Sequence, residues 1–170
     1  EYINLLAGTD LSSVTLDDII TRHKEIAHEI YAAVNPQEYL QGYLHHGFYP
    51  FFLEKRNFSE NLLKTMNMMM EIDILFLKQI ELSYLPKVRR LLYLLTVSAP
   101  AAPNVSQLSK DIETSRATVM NYIKCLKDAR LINMLYKEGE EYPKKPVMVY
   151  MHNTNLMYST RSVQVEPQAV

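Results

Sequence analysis

A run of polar and basic side chains between positions 115 and 124 has the chemistry of a surface that recognises DNA. Arginine and lysine bind phosphate or guanine, asparagine pairs with adenine, and threonine contacts a thymine methyl group or a phosphate. Most of these side chains fall on one side of a helix, opposite its apolar positions. The predicted DNA-binding residues of this helix are Ser115, Arg116, Thr118, Asn121 and Lys124.

The segments around these side chains are predicted to form a helix-turn-helix. Asn104 or Ser106 is expected to cap a short helix, and Ser115 to cap a longer one. The alternating segments 131–136 and 147–151 then predict two strands around a charged loop. Two helices followed by such a β-wing are used mostly to contact nucleic acid. The predicted buried face of the longer helix is Val119, Tyr122, Ile123 and Leu126.

The loop between the predicted strands adds three lysines to the surface. Lys137, Lys144 and Lys145 would contact the flanking phosphate backbone of double-stranded DNA. Three glutamates in the same loop partly neutralise them. A winged helix of modest net charge also docks on proteins, so the sequence leaves protein recognition open as the alternative.

Charge is distributed unevenly along the chain. Residues 1–85 contain 6 basic and 12 acidic side chains, a net charge of −6. Residues 86–160 contain 11 basic and 6 acidic side chains, a net charge of +5. We predict a helical lid-like module at 1–85, a winged helix-turn-helix domain at 86–160 and a flexible tail at 161–170. The predicted fold class is mainly α with a small β-wing.

Three capping signals divide the first module into helices. Thr15 with Asp18 and Asn57 with Glu60 have the spacing of capping boxes. Asn35 precedes a proline, which is favoured at the first position of a helix. The third helix is expected to continue through Ile74 and Leu77, so three helices should fill the module.

No other cluster in the chain has the residues that catalysis or metal binding requires. The methionines at 66–70 are better explained by packing than by a soft metal, and the histidine spacings suit no zinc site. Cys125 is expected at the surface or on the groove side of its helix, without a partnered base. The four glycines form no phosphate-binding loop. We expect no catalytic residue, no metal and no cofactor in this chain.

The composition of the chain limits the classes of protein to which it can belong. The chain has 170 residues, 48% of them apolar, which is enough for a packed core. No apolar run reaches the length of a membrane span, so no membrane contact is expected. A single cysteine suits a reducing compartment, and we predict a cytoplasmic location. The first residues form no signal peptide and include no initiator methionine, which indicates a fragment or a processed product.

Five segments, in order and spacing, resemble the C-terminal region of a family of bacterial and archaeal AAA-type P-loop ATPases. They are EYINL, LDDIITRHKEIAHEI, YLQGYLHHGFYPFFLE, NVSQLSKDIETSRATVMNYIKCLKDARLI and VYMHNTNLMYS. The resemblance implies a missing N-terminal ATPase domain that binds ATP and Mg²⁺. This chain would be its helical lid and winged helix, and the nucleotide state of the core would be coupled to DNA binding.

The segment GFYP at 47–50 is similar to a motif in the lids of related signalling ATPases, whose proline packs near the adenine. The resemblance implies that Gly47, Tyr49 and Pro50 contact the nucleotide of the parent protein. His46 departs from the pattern, since many relatives have a second glycine there. For this chain by itself, a helix-breaking turn with packed aromatic rings is the preferred interpretation, and no tight ATP binding is expected.

Two further interpretations stay open. The winged helix could dock on a protein, such as a neighbouring subunit. The chain could also be an independent transcription regulator that self-associates through residues 1–85.

Overall fold

The computed structural model describes residues 1–54, 57–72, 81–98 and 100–162, which are mainly helical with one small sheet. The prediction of a mainly α fold with two paired strands is confirmed. The α-helices are α1 (Tyr2–Ala7), α2 (Leu16–Ala33), α3 (Gln37–Gly42), α4 (Phe58–Met69), α5 (Leu85–Ser98), α6 (Val105–Asp111), α7 (Arg116–Asp128) and α8 (Thr154–Ser162). Shorter helical turns occupy Tyr43–Gly47, Pro50–Glu54 and Leu82–Tyr84, and the strands are β1 (Ile132–Leu135) and β2 (Met148–Met151).

Side-chain caps start three of the predicted helices where the sequence places them. The Thr15 hydroxyl accepts the Asp18 backbone N–H at 3.1 Å, and the Asp18 carboxylate accepts the Thr15 N–H in return. Asn104 caps α6 and Ser115 caps α7 with a single bond each, in which the side chain accepts the backbone N–H three residues on. These bonds satisfy backbone donors that the first turn of a helix leaves unpaired.

Two other helix starts differ in detail from the prediction. Helix α3 begins at Gln37, one residue later than expected, with Pro36 at its N-cap. Asn57 precedes α4 in a left-handed conformation, and its side-chain amide donates to Glu60 instead of capping the backbone. The predicted continuation of α4 through 74 and 77 lies outside the described residues.

The chain divides into two compact units, Glu1–Lys55 and Arg56–Val170. The charge pattern predicts the division thirty residues later, at 85/86. Helix α4 belongs to the second unit because it packs against α8 and buries Leu62 and Met66. That packing joins segments far apart in the sequence, so local composition does not reveal it.

The second unit is built around α5. This helix contacts α7, α8 and β2, and its buried apolar side chains are Leu85, Val88, Leu91, Leu92 and Leu95. The apolar face predicted for α7 is buried as well. The side chains that form this core with less than 2% exposure are Leu62, Val88, Leu91, Val119, Ile123, Leu126, Leu131, Ile132, Val149 and Leu156.

The two strands are antiparallel, with Ile132 opposite Met151 and Leu135 opposite Met148. A third segment joins the sheet at Ala101, which exchanges two backbone hydrogen bonds with Val149 at 2.9 and 3.3 Å. This bridge comes from the connection between α5 and α6. The segment before α6 and the strand after α7 are therefore both paired with β2, which contacts α5.

Helix α8 continues to Ser162, so the first two residues of the predicted flexible tail are helical. The rest of that tail, 163–170, lies outside the described residues.

The first unit has almost no interior of its own. Tyr2 is its only buried side chain among residues 1–54, and α2 buries none over its 18 residues. The apolar side chains that point to solvent include Leu5, Leu6, Leu16, Ile19, Ile20, Leu40, Phe48 and Leu53.

Candidate nucleic-acid interface

The turn between α6 and α7 is fixed by backbone geometry. Glu113 has a positive φ of 50°, and the Thr114 N–H reaches back to the Ser109 carbonyl at 2.9 Å. The Lys87 ammonium on α5 donates to the Glu113 carbonyl at 2.7 Å. The start of α7 is thus held in place by its own cap and by α5.

Helix α7 presents the predicted DNA-binding side chains on its outer side. Ser115, Arg116 and Asn121 are exposed, and Thr118 and Lys124 are partly exposed. Thr118, Asn121 and Lys124 follow at intervals of three residues and form one stripe. None of the five side chains belongs to the buried core.

Ser115 and Thr118 are partly committed to the helix cap. The two hydroxyl oxygens lie 2.8 Å apart, and the Ser115 oxygen also accepts the Thr118 backbone N–H at 3.0 Å. A hydroxyl offers one donor and two acceptor positions. Each of these hydroxyls therefore retains limited capacity for a phosphate or a base.

Lys124 has two partners that the sequence prediction missed. Its ammonium lies 3.5 Å from the Asp128 carboxylate and 5.3 Å from the centre of the Tyr142 ring. The spacing of four residues between Lys124 and Asp128 could have predicted this ion pair from the sequence. The contact with the Tyr142 ring could not be predicted, because Tyr142 lies on the loop between the strands. Lys124 is therefore a shared group that connects α7 to that loop.

The lysines of the loop between β1 and β2 differ in their surroundings. Lys144 forms an ion pair with Glu140 at 3.1 Å. Lys137 and Lys145 are exposed, and no carboxylate in the described ranges pairs with either. Two of the three predicted loop contacts are thus available to a phosphate without breaking an ion pair.

Burial raises the pKa of two tyrosines in this unit, Tyr122 on α7 and Tyr136 after β1. Tyr122 is 3% exposed and lies in the core of the unit, so it takes no part in the candidate interface.

Cys125 is 3% exposed, which corrects the prediction of a surface or groove-side cysteine. It lies three residues after the buried Tyr122, and helix α7 packs against both α5 and β1. The structure removes Cys125 from the interface.

The lid-motif residues contribute to packing in the first unit. A Cβ atom on Gly47 would lie 2.6 Å from a ring carbon of Tyr43 and 2.8 Å from one of Tyr2. The Tyr49 ring stacks on Phe51 with centres 5.4 Å apart. Pro50 is exposed and begins a short helical turn. Glycine at 47 therefore lets the Tyr2 ring lie against the backbone.

The first unit also contains an open cavity of about 580 Å³. Its described walls are mostly apolar or aromatic, and Glu1 is the one charged residue among the described residues that line it. Gly47, Tyr49 and Pro50 do not line this cavity. Its lining offers no cation for a triphosphate, which usually binds to basic side chains or to the start of a helix. The aromatic residues of the lining are Tyr2, Tyr31, Tyr39 and Tyr43.

The described part of the chain contains no group of three or more His, Cys, Asp or Glu side chains placed to hold a metal ion. Met66 and Met70 are core residues with 3% exposure each. No described helix combines the length and the apolar character that crossing a bilayer requires.

A family model for a domain of unknown function matches residues 37–152, more than half of the chain. The chain belongs to the DUF8612 family. The DUF8612 match begins at the first residue of α3 and ends directly after β2, so it includes α6, α7 and both strands. Helices α1, α2 and α8 lie outside it. No curated protein and no solved structure matches the chain significantly.

One group of neighbouring residues in the DUF8612 domain was not predicted from the sequence. Arg130 stands just beyond α7 with a positive φ of 56°, beside Lys127 and His152. A left-handed arginine has no reliable sequence signature, because glycine and asparagine are the usual residues there.

Proposed function

We propose that the second unit is a winged helix-turn-helix domain that binds double-stranded DNA and catalyses no reaction. Three features support this fold assignment: α6 and α7 pack on each other through a fixed turn, the strands that follow are paired, and the Ala101 bridge adds a strand segment between α5 and α6. In such domains the second helix of the pair lies in the major groove.

The observation that carries the proposal is the outer side of α7. Arg116 stands exposed in its first turn, and Asn121 is exposed one turn later. An arginine and an asparagine at the start of a recognition helix are the residues that read guanine and adenine. On this reading Thr118 and Lys124 contact the adjacent backbone.

Electrostatics support the same surface. Residues 86–160 have a net charge of +5, and the ion pairs of Lys124 and Lys144 are solvent-exposed. Exposed pairs contribute little to stability, so a DNA phosphate can replace the carboxylate partner at small cost. Binding to DNA should then weaken steeply as salt rises, because phosphate neutralisation releases counterions.

The test is fluorescence anisotropy of the full chain with a labelled DNA duplex at two salt concentrations. Arg116→Ala should weaken binding and reduce the slope of log K against log salt by about 1. The control is Lys64→Ala on α4. It also removes one exposed positive charge, here one that pairs with Glu60. Equal affinity and slope for wild type and Arg116→Ala would remove the DNA proposal.

For the first unit we propose a docking role. A unit with one buried side chain among its described residues cannot stabilise itself through its own core, since domains of this size are marginal even when well packed. Its natural partner, on the resemblance to AAA-type ATPases, is an ATP- and Mg²⁺-binding core in a cytoplasmic parent protein. Residues 1–54 carry 2 basic and 8 acidic side chains, so the partner surface should be apolar and basic.

Titration and light scattering test this role. The chain without a core should show no tight binding of ATP, and micromolar affinity would place a nucleotide site within these residues. Light scattering of the same sample detects self-association, the rival way of covering the exposed apolar side chains.

A second candidate for the winged helix is protein recognition. Leu135, Val147 and Met148 are 37% to 47% exposed at one end of the sheet. Apolar side chains at this place suit a protein partner better than a phosphate backbone. Suppose that the anisotropy test fails and that the partner is another copy of the chain. Leu135→Ser should then reduce self-association in light scattering.

A further inference from the structure

A cleft of about 370 Å³ lies at the C-terminal end of α7. It is lined by Lys127, Asp128, Arg130, Asn133 and His152. Helix α7 has 13 residues, so at 1.5 Å per residue its two ends are about 20 Å apart. The cleft is therefore at the opposite end of α7 from Ser115 and the proposed DNA-reading residues.

The basic side chains around the cleft favour an anion, against the partial negative charge of the C-terminal end of α7. Among the described residues that line the cleft, Asp128 is the one carboxylate, and this group is 3.5 Å from the Lys124 ammonium and 4.0 Å from that of Lys127. No carboxylate within the described ranges pairs with Arg130. The two basic side chains Lys127 and Arg130 therefore outnumber the one carboxylate among the described lining residues.

The backbone at Arg130 is shaped in a way that an arginine seldom adopts. Its φ is 56°, and the Leu131 N–H bonds to the Leu126 carbonyl at 3.0 Å, while the Arg130 N–H bonds to the Lys127 carbonyl at 2.9 Å. This pair of bonds ends a helix most readily with glycine in the left-handed position. The left-handed conformation of Arg130 destabilises the backbone and places the guanidinium at the cleft. Strained backbone of this kind is common at binding sites.

The floor of the cleft is set by the sheet. Asn133 on β1 lies opposite Tyr150 on β2, and the His152 backbone N–H bonds to the Leu131 carbonyl at 3.0 Å. The His152 Nδ1 atom is 3.3 Å from the Asn133 amide oxygen. This contact orients the ring, and the amide nitrogen of Asn133 provides two further N–H donors.

We propose that this cleft binds the phosphate group of a small phosphomonoester. The planar fork of an arginine suits two phosphate oxygens, a lysine adds a point charge, and amide N–H groups suit a third oxygen. The cleft is larger than a bare phosphate needs, so the ester substituent can share it. The ion pair of Lys124 with Asp128 connects this cleft to the proposed DNA surface. The phosphate ligands assigned here are not among the proposed DNA contacts; they are Arg130, Lys127 and Asn133.

The test uses inorganic phosphate as the probe and the full chain, with NMR signals of His152 and of the Arg130 side chain followed at constant ionic strength. Arg130→Gly removes the guanidinium and retains a residue that favours the left-handed backbone. Glu113→Gly is the matched control, because Glu113 occupies the equivalent position after α6 with a φ of 50°. Wild type and Glu113→Gly should show saturable shifts, and Arg130→Gly should bind at least about tenfold more weakly.

Three results would overturn the proposal. The first is an equal phosphate response in Arg130→Gly and Glu113→Gly. The second is a response that chloride reproduces at the same ionic strength. The third is the absence of saturation by phosphate together with weaker DNA binding by Arg130→Gly, which would assign the cleft to the nucleic-acid backbone. Arg116→Ala should leave the phosphate response unchanged, so failure of the DNA proposal is distinguishable from failure of this one.

Discussion

The Lys124 ammonium on α7 lies 5.3 Å from the centre of the Tyr142 ring, on the loop between β1 and β2. The same lysine contacts Asp128 at 3.5 Å. One side chain therefore joins the candidate reading helix, its own C-terminal turn and the lysine-bearing loop. A DNA phosphate that displaced Asp128 from Lys124 could leave the ring contact in place, so the loop would keep its position on binding.

Tyr142→Ala should destabilise the fold by about 0.5–1 kcal/mol, the usual size of an exposed cation–π contact. Tyr142→Phe retains a ring for Lys124 and should unfold at the same urea concentration as wild type. Urea denaturation followed by circular dichroism measures both. A Tyr142→Ala protein as stable as Tyr142→Phe would show that the ring contact does not contribute to stability.

Asn121→Ala and Lys145→Ala should separate base reading from backbone contact. If Asn121 pairs with adenine, its removal should reduce discrimination between preferred and altered duplexes by about 1–3 kcal/mol. Lys145→Ala should weaken binding to all duplexes alike and reduce the salt slope by about 1. Anisotropy with a preferred duplex, selected from a random pool, and its mutated versions measures both effects. A uniform loss for Asn121→Ala would remove its assigned role in reading bases.

Glycine at either left-handed helix end should stabilise the second unit. Glu113 and Arg130 each follow a helix with positive φ, a conformation that costs a non-glycine residue about 1 kcal/mol. Glu113→Gly and Arg130→Gly should therefore raise the free energy of unfolding by up to about that amount, less the greater entropy of glycine in the unfolded chain. Thermal denaturation measures this change. A clear loss of stability in Arg130→Gly alone would mean that its side chain has a structural role at the cleft.

The start of α2 should depend on pH through Asp18. Hydrogen bonds from the Thr15 hydroxyl and backbone N–H lower the pKa of the Asp18 carboxyl. Because the folded pKa lies below the unfolded one, the stabilisation is present above the unfolded pKa of about 3.9. It is lost as pH falls through the folded pKa. NMR titration should show a lowered Asp18 pKa that returns toward its ordinary value in Thr15→Ala, and an unchanged pKa would contradict the capping role.

How far the sequence predicts this molecule depends on the range of each interaction. The caps at Thr15, Asn104 and Ser115 follow from residues within one turn, so the sequence identifies them. The apolar faces of α5 and α7 follow from helical periodicity. The packing of α4 on α8 joins segments about ninety residues apart, so local composition does not indicate it.

The same reasoning applies to the candidate sites. The exposure of Asn121 follows from its place opposite the apolar face of α7. The burial of Cys125 depends on how α5 and β1 lie across the helix, and the Tyr142 contact depends on the path of a loop. Local sequence contains neither kind of information, since both are set by tertiary packing.

Gly47→Ala tests whether the lid-like motif is held by close packing. Its new methyl group would lie 2.6 Å from a ring carbon of Tyr43 and 2.8 Å from one of Tyr2, so a ring or the backbone must move. Overpacking of this kind typically costs about 1–3 kcal/mol. Burial raises the pKa of the Tyr2 phenol, and a displaced ring should titrate closer to its ordinary value. NMR of ring-labelled tyrosine measures that pKa.

The matched control for Gly47→Ala is the pair of variants Tyr2→Ala and Tyr2→Ala with Gly47→Ala. If the Tyr2 ring causes the strain, Gly47→Ala should destabilise the turn Tyr43–Gly47 less when that ring is absent. Hydrogen exchange of the backbone amides in the turn reports this difference. Equal losses with and without the Tyr2 ring would assign the strain to Tyr43 within the turn itself. The glycine of the GFYP segment would then be needed for the local helical turn and not for the contact with α1.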